Sequence, residues 1–439
     1  MAAKRDQSVK RRPADNLLSV LTSVLDRGLA WQIPARPVCM IQALDHGDFR
    51  VSVEASAALH SLAQEITAAI QEDSRFPRNE VRMLRGESGG GLGFYPTFCG
   101  SEVVKRILRT GDPQEAIDWL SKVLNTTEAT GKSITALWGV AIDRRFALTS
   151  EMEIVQIDDL PESQQKSWIA ALPLLGASSP IMSSLSFTKP TSALVVKRTI
   201  RPFVYDPKVD PTAADGEFTA IWERFNETAR CLTLLGPRVS LIAAHWFTFD
   251  DPDLEEANVL GAGRSQPFIE ILPIAHQEYP MLNATEAPKL VQSYLALNPT
   301  IRNRVSVALD RLSQAQRRHD AGDQAVELMI ALESLLGDKA KTEMMHKVRV
   351  RAARLMGGSA DTRTRNSSVI NRVYDIRSKL VHNGERTRGD AMVTLQGQRL
   401  TAAQLLKEAT ETCMGVIKSI ILRGSIPNWP DFDIAEHVD

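Results

Sequence analysis

Hydrophobic and polar positions repeat with a helical period at both ends of the chain and alternate in its middle. Leu17, Leu18, Val20, Leu21, Val24, Leu25 and Leu29 recur at the three-to-four-residue spacing of an amphipathic helix over residues 14–30, with Gly28 and Pro34 to stop it. Residues 38–53 read as a strand, a His46-Gly47-Asp48 turn and a second strand from Phe49 to Val53. Leu59, Leu62, Ala63, Ile66 and Ile70 predict a helix over 55–70, and two shorter helices follow over 101–109 and 113–123. From Ile134 to Ile157 the pattern alternates and is rich in β-branched residues, which predicts a small antiparallel set of strands. Residues 193–203 add another strand, and 239–247 a third stretch of the same kind. A helix over 216–235 lies between these last two. Residues 158–192, rich in Ser and Pro, read as irregular, and the acidic run Asp250, Asp251, Asp253, Glu255 and Glu256 as a solvated face.

Beyond Pro299 the helical period dominates and its punctuation is clean. Helices are predicted over about 300–319, 321–336 (stopped by Gly337), 342–356 (capped by Thr342, stopped by Gly357-Gly358), 368–383 (stopped by Asn383-Gly384) and 401–423 (capped by Thr401, stopped by Gly424). Five amphipathic helices with mostly short connections form an antiparallel bundle, because each has one apolar face that only a neighbour can cover. The fold class expected is therefore α+β. A mixed N-terminal region with small antiparallel sheets precedes a C-terminal all-α antiparallel helical bundle. The expected divisions are a disordered basic arm (1–13), a mixed region (14–297, with a candidate sub-boundary near 125–133), the bundle (298–424) and an acidic tail (425–439).

Composition narrows the function classes. At 439 residues, two or three domains are expected. No run of eighteen apolar residues occurs, and the basic N-terminal run is not followed by an unbroken apolar core, so neither a membrane span nor a signal peptide is expected. Cys39, Cys99, Cys231 and Cys413 form no CxxC pair, which argues against a disulfide framework or a zinc site and fits a reducing cytoplasm. No metal and no cofactor is expected. Two stretches imitate phosphate loops. The glycine run 86–93 has no GK[ST] after it and no strong strand before it. Thr130-Gly131-Lys132-Ser133 lacks the earlier glycine of a Walker loop and runs into a strand, not a helix.

Charge is distributed unevenly. The net charge of the chain is −1, yet residues 341–388 hold twelve basic and four acidic residues, a local surplus of eight. Such a surplus reads either as a solvated helix surface or as a phosphate-binding surface. Inside it stands Ile376-Arg377-Ser378-Lys379-Leu380-Val381-His382-Asn383-Gly384. An Arg can hold and neutralise a phosphate bidentately, and a His can move a proton near neutral pH, so this pair suits RNA cleavage without a metal. The same two residues near a helix C-terminus can simply complement the helix dipole. Five positions turn a helix by about 140°, so the pair shares a site only if the last turn loosens or groups from another helix or subunit join it. Glu327 and Glu333, on a neighbouring helix, are candidates to orient the pair.

Residues 300–424, with Ala331-Leu332-Glu333-Ser334-Leu335-Leu336-Gly337 followed by the Arg-x4-His of Arg377 and His382, resemble a HEPN domain of the Apea type. Residues 137–140 to 160–161 are similar to a strand-rich region upstream of the bundle in some Apea-type proteins. The resemblance implies a metal-independent RNA endonuclease in bacterial antiphage defence or a toxin system. Arg377 and His382 would be catalytic, in a cleft shared by a homodimer. Ser378, Lys379, Asn383 and Arg372 would support or bind RNA, and the N-terminal region would recognise a phage-derived or other trigger. Ser378 stands where active members often carry Asn, Asp or His. The alternative is a non-catalytic HEPN module that binds RNA or dimerises, with a regulatory N-terminal region.

Overall fold

The computed structural model describes residues 13–30, 49–85, 91–163, 165–167, 169–170, 188–208, 215–257, 264–265, 279–338 and 343–435. Chain order gives α1 (Pro13–Ala30), α2 (Phe49–Glu72), β1 (Arg82–Arg85), β2 (Gly91–Tyr95), α3 (Cys99–Thr110), α4 (Pro113–Asn125), β3 (Ala129–Trp138), β4 (Phe146–Ala147), β5 (Met152–Gln156), β6 (Ser192–Ile200) and β7 (Val204–Tyr205). There follow α5 (Asp215–Leu232), β8 (Leu241–Phe249), α6 (Pro252–Ala257), β9 (Arg264–Ser265), α7 (Glu286–Leu295), α8 (Pro299–Arg317), α9 (Ala321–Leu336), α10 (Met344–Met356), α11 (Ala360–Asn383), β10 (Met392–Leu395), β11 (Gln398–Thr401), α12 (Ala402–Arg423) and α13 (Trp429–Ile434). The α+β class holds.

The sheet is larger than the alternation suggested. Six antiparallel strands run in the order β4-β5-β6-β3-β8-β9. β3 is its axis, pairing with β6 along Ala129↔Ile200 to Leu137↔Ser192 and with β8 along Gly131↔Phe249 to Trp138↔Leu241. Both faces are covered, so β3 is buried continuously from Ser133 to Trp138 and does not alternate there. Ile134, Ala136 and Trp138 pack with Val195 and Trp246 against Ile157, Leu160 and Ile169. Leu137, Leu194, Val196 and Ile154 face α5, α7 and the bundle. The Walker imitation is structural: a side chain at Gly131 would strike the Thr248 carbonyl and the Phe247 ring, so only glycine lets β3 and its neighbour close up there.

The N-terminal helices α1 to α4 share a second core built on Leu21, Ile66, Phe94, Val104 and Trp119. Three expectations fail in this part of the chain. Phe49–Val53 opens helix α2 instead of forming a strand; residues 38–48 lie outside the described set. A strand does precede the glycine run, since β1 pairs with β2, and Gly91 to Gly93 are themselves strand; residues 86–90 lie outside the described set. The acidic run is not a free face: Asp253 and Glu256 form ion pairs with Arg106, and Lys122 bridges Asp251 (2.6 Å) and Asp253 (2.8 Å). Burial raises the pKa of Asp253 and the hydrogen bonds from Lys122 and Arg106 lower it; the hydrogen bonds prevail. α6 is thus clamped onto α3 and α4.

In the bundle the five expected helices form as α8 to α12, each with an identifiable start. Asn298 caps α8, Asp320 caps α9 through Gly322 and Asp323, and Thr401 with Gln404 makes a reciprocal capping box on α12. α9 is the central helix, with Ala325, Leu328, Met329, Leu332, Leu335 and Leu336 buried; each such Leu contributes about 2 kcal/mol of transfer free energy. Two boundaries differ from expectation. α10 starts at Met344 behind Glu343 in the left-handed conformation; Thr342 lies outside the described residues. α11 starts eight residues early, at Ala360, where the Ser359 hydroxyl accepts from the Thr362 amide. The segment before α12 is a hairpin, β10–β11. The tail is not a free acidic end either. α13 buries Trp429, and Asp433 pairs with Arg351 (2.6 Å). The bundle's core continues into α5 and α7, which precede residue 298.

Candidate functional site

Helix α11 carries the Arg–His pair. Val369, Ile370, Val373 and Ile376 turn inward and fix its rotation. Arg377 therefore falls on the shoulder of the buried stripe, half-buried, with its guanidinium 5.3 Å from the centroid of the Tyr374 ring. That cation–π contact holds the side chain while leaving its donors uncommitted, because Arg377 makes no hydrogen bond or ion pair among the described residues. The buried Nε of Arg377 is unpartnered, as is the Nε of Arg349 on the adjacent helix α10. Arg349 reaches Asn371 at 3.4 Å and His346 at 3.5 Å. Arg349 of α10 thus meets Asn371 on the side of α11 that also presents Tyr374, with His346 against Arg349 from one turn earlier on α10.

The last turn of α11 does not loosen. The helix stays regular to Asn383 and stops on Gly384 in the left-handed region (φ 68°), whose amide donates to the Leu380 carbonyl at 3.0 Å. The Glu385 amide closes back on the Lys379 carbonyl at 3.2 Å. Arg377 and His382 accordingly point about 140° apart, with Tyr374 and Ser378 between them at about 60° and 100° from Arg377. These four residues make one continuous arc, of which His382 is the exposed end. Among the described residues His382 has no hydrogen bond or ion pair. The first condition for convergence is absent, which leaves groups from another helix or from a second subunit to complete a cleft.

The other expected residues divide. Ser378 is half-buried within the arc and Lys379 is exposed beyond it. Asn383 donates weakly to Glu385 at 3.4 Å, and Arg372 is paired with Asp375 at 3.0 Å, on the far side from Arg377. Glu327 is buried and takes both Arg311 (3.1 Å) and Arg318 (2.8 Å), so it braces α8 and the turn after it. Glu333 is remote. Gly322 sits against Leu380, which shows that α9 runs antiparallel to α11, and Glu333 lies about 16 Å further along α9.

Most of the basic surplus has partners within the chain. Lys347 and Arg351 hold Asp338, Arg365 pairs with Glu408 (2.8 Å), Arg388 with Asp390 (3.1 Å), and Arg354 donates to the Asp433 and Ala435 carbonyls. Among the described members of that surplus, only Arg377, Lys379 and Arg386 make no side-chain hydrogen bond or ion pair. The charge signal was real but mostly architectural. Arg349, Asn371 and Tyr374 were missed as neighbours of the site. The i−3 spacing of Tyr374 from Arg377 was readable, whereas the α10 contribution required the packing. No described thiol competes as a nucleophile, since Cys99, Cys231 and Cys413 are buried and loss of solvent pushes Cys99 and Cys413 up to about 12.

Compared with known protein families, characterised proteins and solved structures, the chain matches none. Among the described residues no helix is long and apolar enough to cross a membrane.

Proposed function

We propose that the protein is a metal-independent RNA endonuclease of the HEPN kind that acts as a homodimer in bacterial antiphage defence or a toxin system. In this reading the N-terminal region responds to a phage-derived or other trigger. The observation that carries the reading is the uncommitted Arg377 guanidinium, held over Tyr374 on the same helical arc that ends in the exposed His382. In the proposed reaction a neutral His382 takes the proton of a ribose 2′-hydroxyl, whose oxygen attacks the adjacent phosphorus. The bond to the 5′-oxygen breaks, and a protonated His382 from the second copy gives that oxygen its proton. Arg377 stabilises the extra negative charge on the pentavalent phosphate. The products are a 2′,3′-cyclic phosphate and a 5′-hydroxyl.

The test is incubation of the purified chain with labelled RNA in EDTA. Arg377→Ala and His382→Ala each lower cleavage about a hundredfold or more, the loss typical of one transition-state group. Intact RNA across several substrates and pH values refutes the reading, as does a strictly monomeric mass by light scattering at the assay concentration. One observation favours a second reading, a non-catalytic RNA-binding or dimerisation module: no described group holds the His382 ring in one tautomer. Binding of RNA that persists in His382→Ala without cleavage in either form selects it.

A further inference from the structure

Helices α10 and α11 meet along a seam that holds more positive charge than the Arg–His pair accounts for. Arg349 is half-buried in it and makes no ion pair among the described residues. Its partners are Asn371 Oδ1 at 3.4 Å and His346 Nδ1 at 3.5 Å, both neutral and both near the length at which a hydrogen bond fades. Arg377 stands six residues beyond Asn371 and also lacks an acidic partner, with Tyr374 midway between them on α11. Neighbouring cations behave otherwise: Lys347 and Arg351 hold Asp338, and Arg365 holds Glu408. The acids close by do not fill the gap. Asp375 is taken by Arg372 (3.0 Å), and Glu343, one turn before His346, pairs with neither guanidinium. His346 itself is exposed. An arginine nitrogen can only donate, so the Nδ1 facing it accepts and the ring hydrogen sits on Nε2. That hydrogen has no partner among the described residues.

We infer, on the nuclease reading of α11 given above, that His346 and Arg349 form a second phosphate subsite for RNA, beside the phosphate that Arg377 takes. Each Nη of Arg349 carries two hydrogens and commits one, so one remains on each nitrogen for a phosphate oxygen. His346 adds a neutral donor from the same turn of α10. The two guanidiniums have different anchors, Asn371 for Arg349 and Tyr374 for Arg377, so they meet successive phosphates, not one. Contacts of this kind set affinity and register on the strand and do not read its sequence. Helix α10 therefore holds the strand while α11 acts on it.

The test measures binding of a labelled oligouridylate to the full chain in EDTA over a range of salt, in the His382→Ala background so that the strand stays intact. Arg349→Gln is expected to weaken binding about tenfold, the loss of a hydrogen bond to a charged group. It should also lower the slope of log affinity against log salt by about 0.7, one phosphate contact on a single strand, while Arg349→Lys keeps the slope. His346→Ala is expected to weaken binding about fivefold at unchanged slope, because the donor it removes is neutral. His346 is exposed, so this variant tests the subsite even where Arg349→Gln fails to fold. An unchanged slope in Arg349→Gln, unchanged affinity in His346→Ala, or no binding of the RNA overturns the subsite. Cleavage by the wild type is read separately. RNA bound with this signature but never cut overturns the nuclease and leaves the subsite; RNA cut, with an unchanged slope in Arg349→Gln, does the reverse.

Discussion

Replacing Arg351 by Met tests whether α13 is part of the bundle or an attachment to it. The residue is 1% exposed, and all three of its guanidinium nitrogens donate. Nη1 donates to the Leu336 carbonyl (2.6 Å), Nε and Nη2 to Asp433 (3.0 and 2.6 Å), and Nη2 also to Asp338 (2.9 Å), with the guanidinium 4.9 Å from the Trp429 ring centroid. Met keeps the aliphatic stem's packing but none of these bonds. The Leu336 carbonyl is then a buried acceptor without its donor, at about 1–3 kcal/mol. Asp433 is one-third exposed and rehydrates, so its loss is taken at the lower end, about 1 kcal/mol. The expected cost is about 3 kcal/mol. Denaturant unfolding measures it, and hydrogen exchange over 429–435 shows whether protection of α13 goes with it. Asp433→Asn in the Arg351→Met background should add little, since the partner is already gone. A loss under about 1 kcal/mol, or unchanged protection of 429–435, refutes the reasoning.

Two further outcomes follow from single positions. A Cβ at Gly100 would collide with the Ala63 carbonyl and the Thr67 hydroxyl, so Gly100→Ala must part α2 from α3; a loss of about 2 kcal/mol or more in melting experiments is expected, and a neutral result refutes that packing. Hydrogen bonds from Lys347 and Arg351 hold the Asp338 carboxyl below the usual range, so folding disfavours its protonation. Its contribution is complete above the ordinary Asp value near 4 and fades as pH falls through the lower folded value, so Asp338→Asn should flatten the acid limb of stability below about pH 4. An unchanged acid limb refutes that assignment.

Legibility followed the strength of the periodic signal. α8, α9 and α12 were read almost to the residue because each buries a clean stripe behind an N-cap, and α9 and α12 also end on a glycine. The first turns of α11, Asp361-Thr362-Arg363-Thr364-Arg365-Asn366, carry no apolar stripe, and only the Ser359 cap marked them. The short alternation Phe49–Val53 fits a strand locally but continues into the apolar stripe of α2, and tertiary packing overrode it. Charges misled for one reason throughout: the sequence shows their sign but not their partners. The acidic run at 250–256 and the basic surplus at 341–388 were both read as candidate surfaces. Arg106, Lys122, Glu408 and Asp433 neutralise much of them from positions distant in sequence. The Arg–His helix was legible because its spacing and stop are local; its neighbours on α10 were not.

The unbroken run of α11 to Asn383 makes it a ruler. Five residues at about 1.5 Å each set Arg377 and His382 about 7.5 Å apart along the axis. Two copies crossing antiparallel about a point level with Lys379 and Leu380 would bring the arginine of each to the height of the other's histidine, while any other registration would leave both pairs offset. A cysteine placed at Ser378, on the arc at that level, would then lie close to its own copy across the symmetry axis. Disulfide trapping at that position, absent when the cysteine is moved to Arg372, would report the registration directly; trapping with equal yield at both would show that the helices do not meet this way.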